Sequence, residues 1–264
     1  DLIAVDDHAV EEKFAAFVAH VMPAIKDDVD TFTVLNEPLS MISAAYFDNS
    51  FPPGDFLDTP KAVQFGVNLM HMQAAAYDEI KRVNPDAFVG MTMAANDVFP
   101  EDPNNAQEQL AATSIGYVYN DWFMQGMVNG DVDLDLNGTI DATDVHADPA
   151  LKGRIDFVGV QYYGPVRVLQ QSFLDPFAPL SGAPLLDVAQ YTTPDGPNLP
   201  HNGMGREIRA SDFAATLDHY AQWGLPMIVT ENGTTTNGGE PPDAGGRHRP
   251  PARRGPRGLY AHAG

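Results

Sequence analysis

Apolar and polar residues follow two alternating patterns along the chain, one with helical spacing and one typical of strands. Residues 8–22 place apolar side chains three and four positions apart, and a second stripe of this kind runs from residue 59 to about residue 84. The apolar runs 31–35 and 87–93 are short and rich in β-branched and aromatic residues, as expected of buried strands. The first third of the chain therefore predicts the order α-β-α-β.

The rest of the chain repeats this alternation. Helical spacing recurs at 106–127 and 211–224, and short apolar runs recur at 155–163 and 226–231. Such an order predicts parallel strands joined by crossover helices, in either a doubly wound sheet or a barrel. The remaining long segments are expected to be loops: 38–58, 128–154 and 164–210.

Composition narrows the class of protein. The 264 residues are 44% hydrophobic, and 36 acidic against 15 basic side chains give a formal net charge of −21. This charge disfavours nucleic acid and anionic membranes as partners, and no apolar run reaches the ~18 residues of a membrane span. The absence of cysteine excludes disulfides, cysteine-ligated zinc and a thiol nucleophile.

The last twenty residues differ in kind from the rest. Residues 245–264 hold five arginines and no acidic residue, with neither helical nor strand spacing. We expect a basic tail that is disordered or non-native, following a folded domain at 1–244.

Two glutamates directly follow apolar strand patterns, where a buried charge is costly unless it faces a polar cleft. Glu37 follows the run 31–35, and Glu231 ends the run 226–231. Glycoside hydrolysis uses two such carboxyl groups on opposite sides of the scissile bond. The competing interpretation is that each glutamate is an ordinary strand-end residue bonded to a helix N-terminus.

Three motifs in order favour the catalytic interpretation: TVLNEP at 33–38, DFVGVQYYG at 156–164 and PMIVTENG at 226–233. Together they resemble glycoside hydrolase family 1, which includes β-glucosidases and β-galactosidases. The resemblance implies a (β/α)8 TIM-barrel fold and a retaining mechanism on β-linked glucosides or related glycosides, with no cofactor for catalysis.

The resemblance also implies individual roles. Glu37 matches the general acid/base and Glu231 the nucleophile, while Asn36 matches the ligand of the sugar 2-hydroxyl. Tyr163 matches the hydrogen-bond partner of the nucleophile. Gln161 stands where the family has asparagine, and it is taken with Asn232 as a further substrate-binding residue.

Other sugar-binding motifs of the family have no match, and the chain resembles only a fragment covering about the fourth to seventh barrel strands. Two alternatives to an active glycosidase therefore remain. One is an inactive half-barrel that only binds carbohydrate or calcium, and the other is an endo-acting cellulase of the same clan. An open half-barrel exposes strand edges, which predicts self-association.

An acidic insert at 131–144 resembles a calcium loop. Oxygen-bearing side chains recur at alternating positions around Gly138, as Ca²⁺ loops require. A solvated acidic turn is the competing interpretation. A structural Ca²⁺ here favours an extracellular or periplasmic location over the cytoplasm, although composition leaves the compartment open. The predicted ligands are Asp133, Asp135, Asn137, Thr139, Asp141 and Asp144.

Overall fold

A computed structural model of the chain describes residues 9–47, 49–168, 189–190 and 207–233. The helices are α1 Ala9–Ile25, α2 Pro38–Tyr46, α3 Thr59–Val83, α4 Ala106–Asn120, α5 Trp122–Asn129 and α6 Ala210–Ala221. The strands are β1 Thr31–Asn36, β2 Phe88–Ala94, β3 Val98–Pro100, β4 Phe157–Tyr162, β5 Val166–Val168, β6 Ala189–Gln190 and β7 Met227–Asn232. The predicted basic tail at 245–264 lies outside the described residues.

The main sheet is parallel and has the strand order β1-β2-β4-β7. Each of its strands is reached through at least one helix, as parallel pairing requires. A second, smaller sheet pairs β3 with β5 in parallel and β5 with β6 antiparallel. The alternation predicted from the sequence is therefore confirmed, and all four predicted strands belong to the main sheet.

Helix α3 shows why the predicted elements form where they do. Its N-cap Asp58 accepts a hydrogen bond from the backbone amide of Lys61 at 3.2 Å, and Pro60 occupies the first turn. Lys81 and Arg82 lie in the last turn, where they complement the helix dipole. Asn84 ends the helix at the point the sequence predicts.

Four predicted boundaries are wrong. The segment 164–210, expected to be a loop, contains the short strands β5 and β6, which pair with each other in the second sheet. The expected loop at 38–58 contains α2, because Pro38 at the first turn starts a helix directly after β1. The helix predicted at 106–127 is two helices that meet at Asp121. Helix α1 continues through Pro23 to Ile25 instead of ending before the proline.

The core lies between the main sheet and the crossover helices. Trp122 and Phe123 of α5 meet edge to face against α3, with ring centroids 5.3 Å apart. Gly66 of α3 allows this packing, because a Cβ there would lie 2.3 Å from the Trp122 ring. No helix among the described residues is both long enough and apolar enough to cross a membrane.

The two outer strands of the main sheet are the exposed ones. Every residue of the inner strand β4 is buried, whereas every residue of β7 is exposed and β1 is exposed at Thr31, Thr33 and Asn36. Met227, Ile228 and Val229 are 37%, 37% and 48% exposed. The prediction that the run 31–35 is a buried strand is wrong at Thr31 and Thr33, because an edge strand has a neighbour on one side only.

Candidate active site

The C-terminal ends of the main strands gather the polar residues of the candidate site. β1 ends at Asn36 and is followed directly by Glu37, and β7 carries Glu231 as its next-to-last residue. Gln161, at the end of β4, pairs with Glu231 in the register of the sheet. In parallel barrels this end of the strands forms the opening where active sites are built.

Glu37 occupies a strained position in the backbone. Its dihedral angles are φ 46° and ψ 61°, a left-handed conformation that is uncommon outside glycine. The backbone amide of Glu37 donates to the carbonyl oxygen of Thr92 at 3.0 Å, which ties this turn to β2. Pro38 then begins α2, and the Glu37 side chain makes no cap bond to that helix. The turn therefore presents the Glu37 carboxylate at a cost of about 1–3 kcal/mol.

The carboxylate of Glu231 is held by one donor on each oxygen. Gln161 Nε2 donates to Glu231 Oε1 at 2.8 Å, and the Tyr163 hydroxyl donates to Oε2 at 2.5 Å. The hydrogen bond to Glu231, followed by burial and by the charges of Glu231 and Glu37, raises the pKa of Tyr163 to about 12. Glu231 is therefore held by Gln161 at the end of β4 and by Tyr163, the residue that directly follows this strand.

Asn36 joins the same hydrogen-bond network from the other edge of the sheet. Its Oδ1 accepts from Thr92 Oγ1 and from Gln161 Nε2, both at 2.9 Å. A continuous series of hydrogen bonds therefore runs from Asn36 through Gln161 to Glu231. Glu37 and Glu231 do not lie on neighbouring strands, since β2 and β4 separate them, and this network connects the two edges.

Four of the six predicted catalytic and substrate-binding residues meet in this network through their side chains: Asn36, Gln161, Tyr163 and Glu231. Glu37 is tied to the site through its backbone amide only, among the residues that the structure describes. Asn232 does not join it by side-chain hydrogen bonding, because its Nδ2 donates to the backbone oxygen of Tyr162 at 2.8 Å. Thr92 belongs to the network but was missed by the sequence analysis. The only sequence signal for Thr92 is a hydroxyl residue among apolar neighbours in β2.

The acidic loop lies apart from this network, between α5 and β4. Val132 and Val145 close it with an antiparallel bridge whose two N–H···O distances are 3.0 Å. One carboxylate oxygen from each of Asp133, Asp135 and Asp144 lies within 4.8 Å of the other two. Three of the six predicted ligands therefore come together through their carboxylates.

Asp133 is the buried member of this acidic cluster and is 0% exposed. Its carboxylate accepts from the backbone amides of Asp135, Asn137 and Gly138, and the closest of these distances is 2.7 Å to Gly138. Burial raises its pKa, and hydrogen bonding with the neighbouring carboxyl of Asp135 adds to this.

Of the other three predicted ligands, Asn137 lies against the cluster, because its Nδ2 donates to Asp135 Oδ2 at 3.0 Å. Asp141 accepts from the backbone amide and hydroxyl of Thr143, both at 2.8 Å. Asn137 Oδ1 accepts from the backbone amide of Thr139 at 2.8 Å, and Thr139 itself is exposed.

Comparison with known proteins identifies the family. The family model described as glycosyl hydrolase family 1 matches residues 5–243. The chain belongs to glycosyl hydrolase family 1. Among curated family 1 relatives, a β-galactosidase of Pyrococcus woesei is 26% identical over 240 residues, covering 84% of this chain and 45% of that protein. β-Glucosidase A of Enterobacter agglomerans is 22% identical, covering 86% of this chain and 49% of that protein.

Solved family 1 structures show the same fold. A rice β-glucosidase superposes with a TM-score of 0.72 at 18% identity, covering 88% of this chain and 54% of that structure. A β-glycosidase from Pyrococcus horikoshii superposes with a TM-score of 0.69 at 18% identity, covering 87% and 48%. The main sheet is therefore part of a (β/α)8 barrel, and the chain spans about half the length of its relatives.

Proposed function

We propose that the network around Glu231 is the glycone site of a retaining β-glycosidase that acts by double displacement. The supporting observation is that Glu231, held by Gln161 and Tyr163, is linked through Gln161 to Asn36, the residue directly before Glu37, at the C-terminal ends of the strands. Retention needs two carboxyl groups about 5–5.5 Å apart, one as nucleophile and one as proton donor. Glu231, held on both oxygens, suits the nucleophile, and Glu37 at its strained turn suits the acid/base.

In the first step of this mechanism, Glu37 donates its proton to the glycosidic oxygen as that oxygen leaves. Glu231 attacks the anomeric carbon and forms a glycosyl ester. In the second step Glu37 removes a proton from water, the water oxygen attacks the anomeric carbon, and Glu231 leaves as a carboxylate. Both steps invert the anomeric carbon, so the product retains its configuration.

The substrate class is a β-linked glucoside or a related glycoside. Asn36 supports this, because the described residues provide both donors to its Oδ1 and no acceptor for its Nδ2. We assign Nδ2 to the sugar 2-hydroxyl. The relatives are described as β-galactosidases, a β-glucosidase and 6-phospho-β-galactosidases, so galactosides and phosphorylated glycosides belong in the test with glucosides.

Aryl β-glycosides test this function in the full chain. Glu231→Gly should abolish turnover, whereas Glu37→Ala should lower it by about 10²–10⁴-fold and regain part of it with azide or a good leaving group. Glu12→Ala, an exposed glutamate of α1, is the matched control and should leave turnover unchanged. Inverted product, or full activity in Glu231→Gly, contradicts the assignment.

Two further outcomes separate the alternatives. If the unsubstituted chain binds glycosides but does not hydrolyse them, the alternative of an inactive half-barrel is correct. A parent chain that cleaves soluble cellulose chains in preference to aryl glycosides is the endo-acting enzyme.

We also propose that the acidic loop binds one structural Ca²⁺. The full burial of Asp133 beside two other carboxylates supports this, since a divalent cation offsets their mutual repulsion. Calcium should raise the melting temperature and EDTA should lower it. Asp133→Asn should remove this response, whereas the control Asp131→Asn, outside the cluster, should keep it.

Magnesium at equal concentration should stabilise less than calcium, because it prefers a tighter octahedral set of ligands. A melting temperature that calcium and EDTA leave unchanged would mean that the loop is a solvated acidic turn.

A further inference from the structure

Gln161 is the one residue of the candidate site that contacts both edges of the sheet within the described part of the chain. Its side chain is 2% exposed. A single nitrogen, Nε2, donates to Glu231 Oε1 at 2.8 Å and to Asn36 Oδ1 at 2.9 Å. Both amide protons are therefore used, one for each partner.

The chemistry of its partners fixes the orientation of this amide. Turning the amide over would bring its carbonyl oxygen against two acceptor oxygens, those of Glu231 and Asn36. In the observed orientation Oε1 is buried and has no hydrogen-bond partner in the described part of the chain. An unsatisfied buried oxygen is destabilising, because it loses its hydrogen bonds to water without replacing them. Two bonds from Nε2, one of them to a charged carboxylate, outweigh this cost.

The length of the side chain is what allows both contacts. The family 1 motif has asparagine at this position, which is shorter by one carbon–carbon bond of about 1.5 Å. Moving Nε2 back by that amount would take at least one of the contacts of 2.8 and 2.9 Å beyond hydrogen-bond distance. Glutamine at 161 therefore gives this chain a link that asparagine cannot form from the same backbone.

We propose that Gln161 is a positioning residue that holds the nucleophile Glu231 and the sugar-binding amide of Asn36 in one fixed arrangement. The proposal rests on the proposed glycosidase function. Both Nε2 protons of Gln161 are used within the protein in this arrangement. It fixes Asn36 Oδ1 together with Thr92, so that Asn36 Nδ2 is the group left to meet the 2-hydroxyl.

Side-chain amide NMR tests the link without any need for turnover. In the parent chain both Nε2 protons of Gln161 should exchange slowly with solvent, and the loss of their signals in Gln161→Met assigns them. Glu231→Ala and Asn36→Ala should each speed the exchange of one proton by about tenfold or more. Fast exchange of both protons in the parent chain, or no response to either substitution, overturns the proposal.

Binding of two azasugars tests the consequence for the site. 1-Deoxynojirimycin keeps the 2-hydroxyl, and isofagomine lacks it. Two variants remove the link: Gln161→Met keeps the side-chain length and packing, and Gln161→Asn shortens the side chain. Each should weaken the binding of deoxynojirimycin about fivefold more than the binding of isofagomine, which is the effect of losing one hydrogen bond. Gln73→Met, at another buried glutamine in α3, should leave this ratio unchanged.

The exchange and azasugar experiments separate the proposed role of Gln161 from the proposed glycosidase function. Equal weakening of both azasugars in the Gln161 variants means that Gln161 does not act through Asn36, which overturns the proposal even if the glycosidase function holds. Failure of the parent chain to bind either azasugar counts against the proposed function in this chain. The exchange experiment then decides the role of Gln161 by itself.

Discussion

The strained backbone at Glu37 makes a prediction about stability that is independent of catalysis. Glu37→Gly and Glu37→Ala both remove the carboxylate, and neither loses a cap bond, because the Glu37 side chain makes none. They differ in how well the new residue tolerates φ 46° and ψ 61°. Glycine adopts this conformation freely, whereas an L-residue with a Cβ is strained by roughly 1–2 kcal/mol.

Glycine also gains more conformational entropy than alanine in the unfolded chain, which offsets about 0.4–1 kcal/mol of that advantage. Subtracting about 0.7 kcal/mol of unfolded-chain entropy from about 1.5 kcal/mol of strain leaves Glu37→Gly more stable than Glu37→Ala by about 0.8 kcal/mol. Urea unfolding of the two variants, followed by circular dichroism, measures the difference. A melting-temperature difference of roughly 2 °C should accompany it.

Ser40 is the matched control, since it lies three residues away within α2. In an ordinary helical position alanine should be more stable than glycine by about 0.5–1 kcal/mol, so the sign of the comparison reverses. If Glu37→Ala is as stable as Glu37→Gly or more stable, the turn is not strained in solution, and the reasoning from its dihedral angles is wrong.

Three further predictions concern charge and exposed edges. Glu231→Gln should lower the pKa of Tyr163 from about 12, because the hydrogen bond to Glu231 is the main cause of the raised value. ¹³C NMR of labelled tyrosine measures this pKa, and an unchanged value argues against the contact. Burial raises the pKa of Asp156, but hydrogen bonds, that from Lys81 foremost, outweigh this and lower it. The ionised Asp156 therefore stabilises the folded state at pH values above its ordinary pKa of 3.8, and this contribution is lost as the pH falls through the lower pKa of the folded state. Asp156→Asn should therefore make the free energy of unfolding depend less on pH on the acid side. The exposed edge strand should cause self-association that Ile228→Thr reduces, as light scattering would show; a monomeric parent chain contradicts this.

Much of the local structure could be predicted because its causes are local. Periodicity located α3 and the four strands of the main sheet, and the residues after two of those strands pointed to Glu37 and Glu231. The features that were missed have non-local causes or weak local signals. α2 begins at a proline after a polar turn, and Thr92 looks like any other residue of a buried strand until Asn36 is placed beside it.

The sequence by itself determined the order of elements and the family resemblance, and it predicted Glu37 and Glu231 as the catalytic pair, because these depend on spacing and on short contiguous motifs. Only the tertiary structure decided which strands are edges and how Gln161 reaches across the sheet. It also decided that Asn232 bonds to the backbone and that the carboxylates of Asp133, Asp135 and Asp144 cluster. These features depend on residues up to 125 positions apart, as in the bond from Gln161 to Asn36, and no local pattern encodes such a distance.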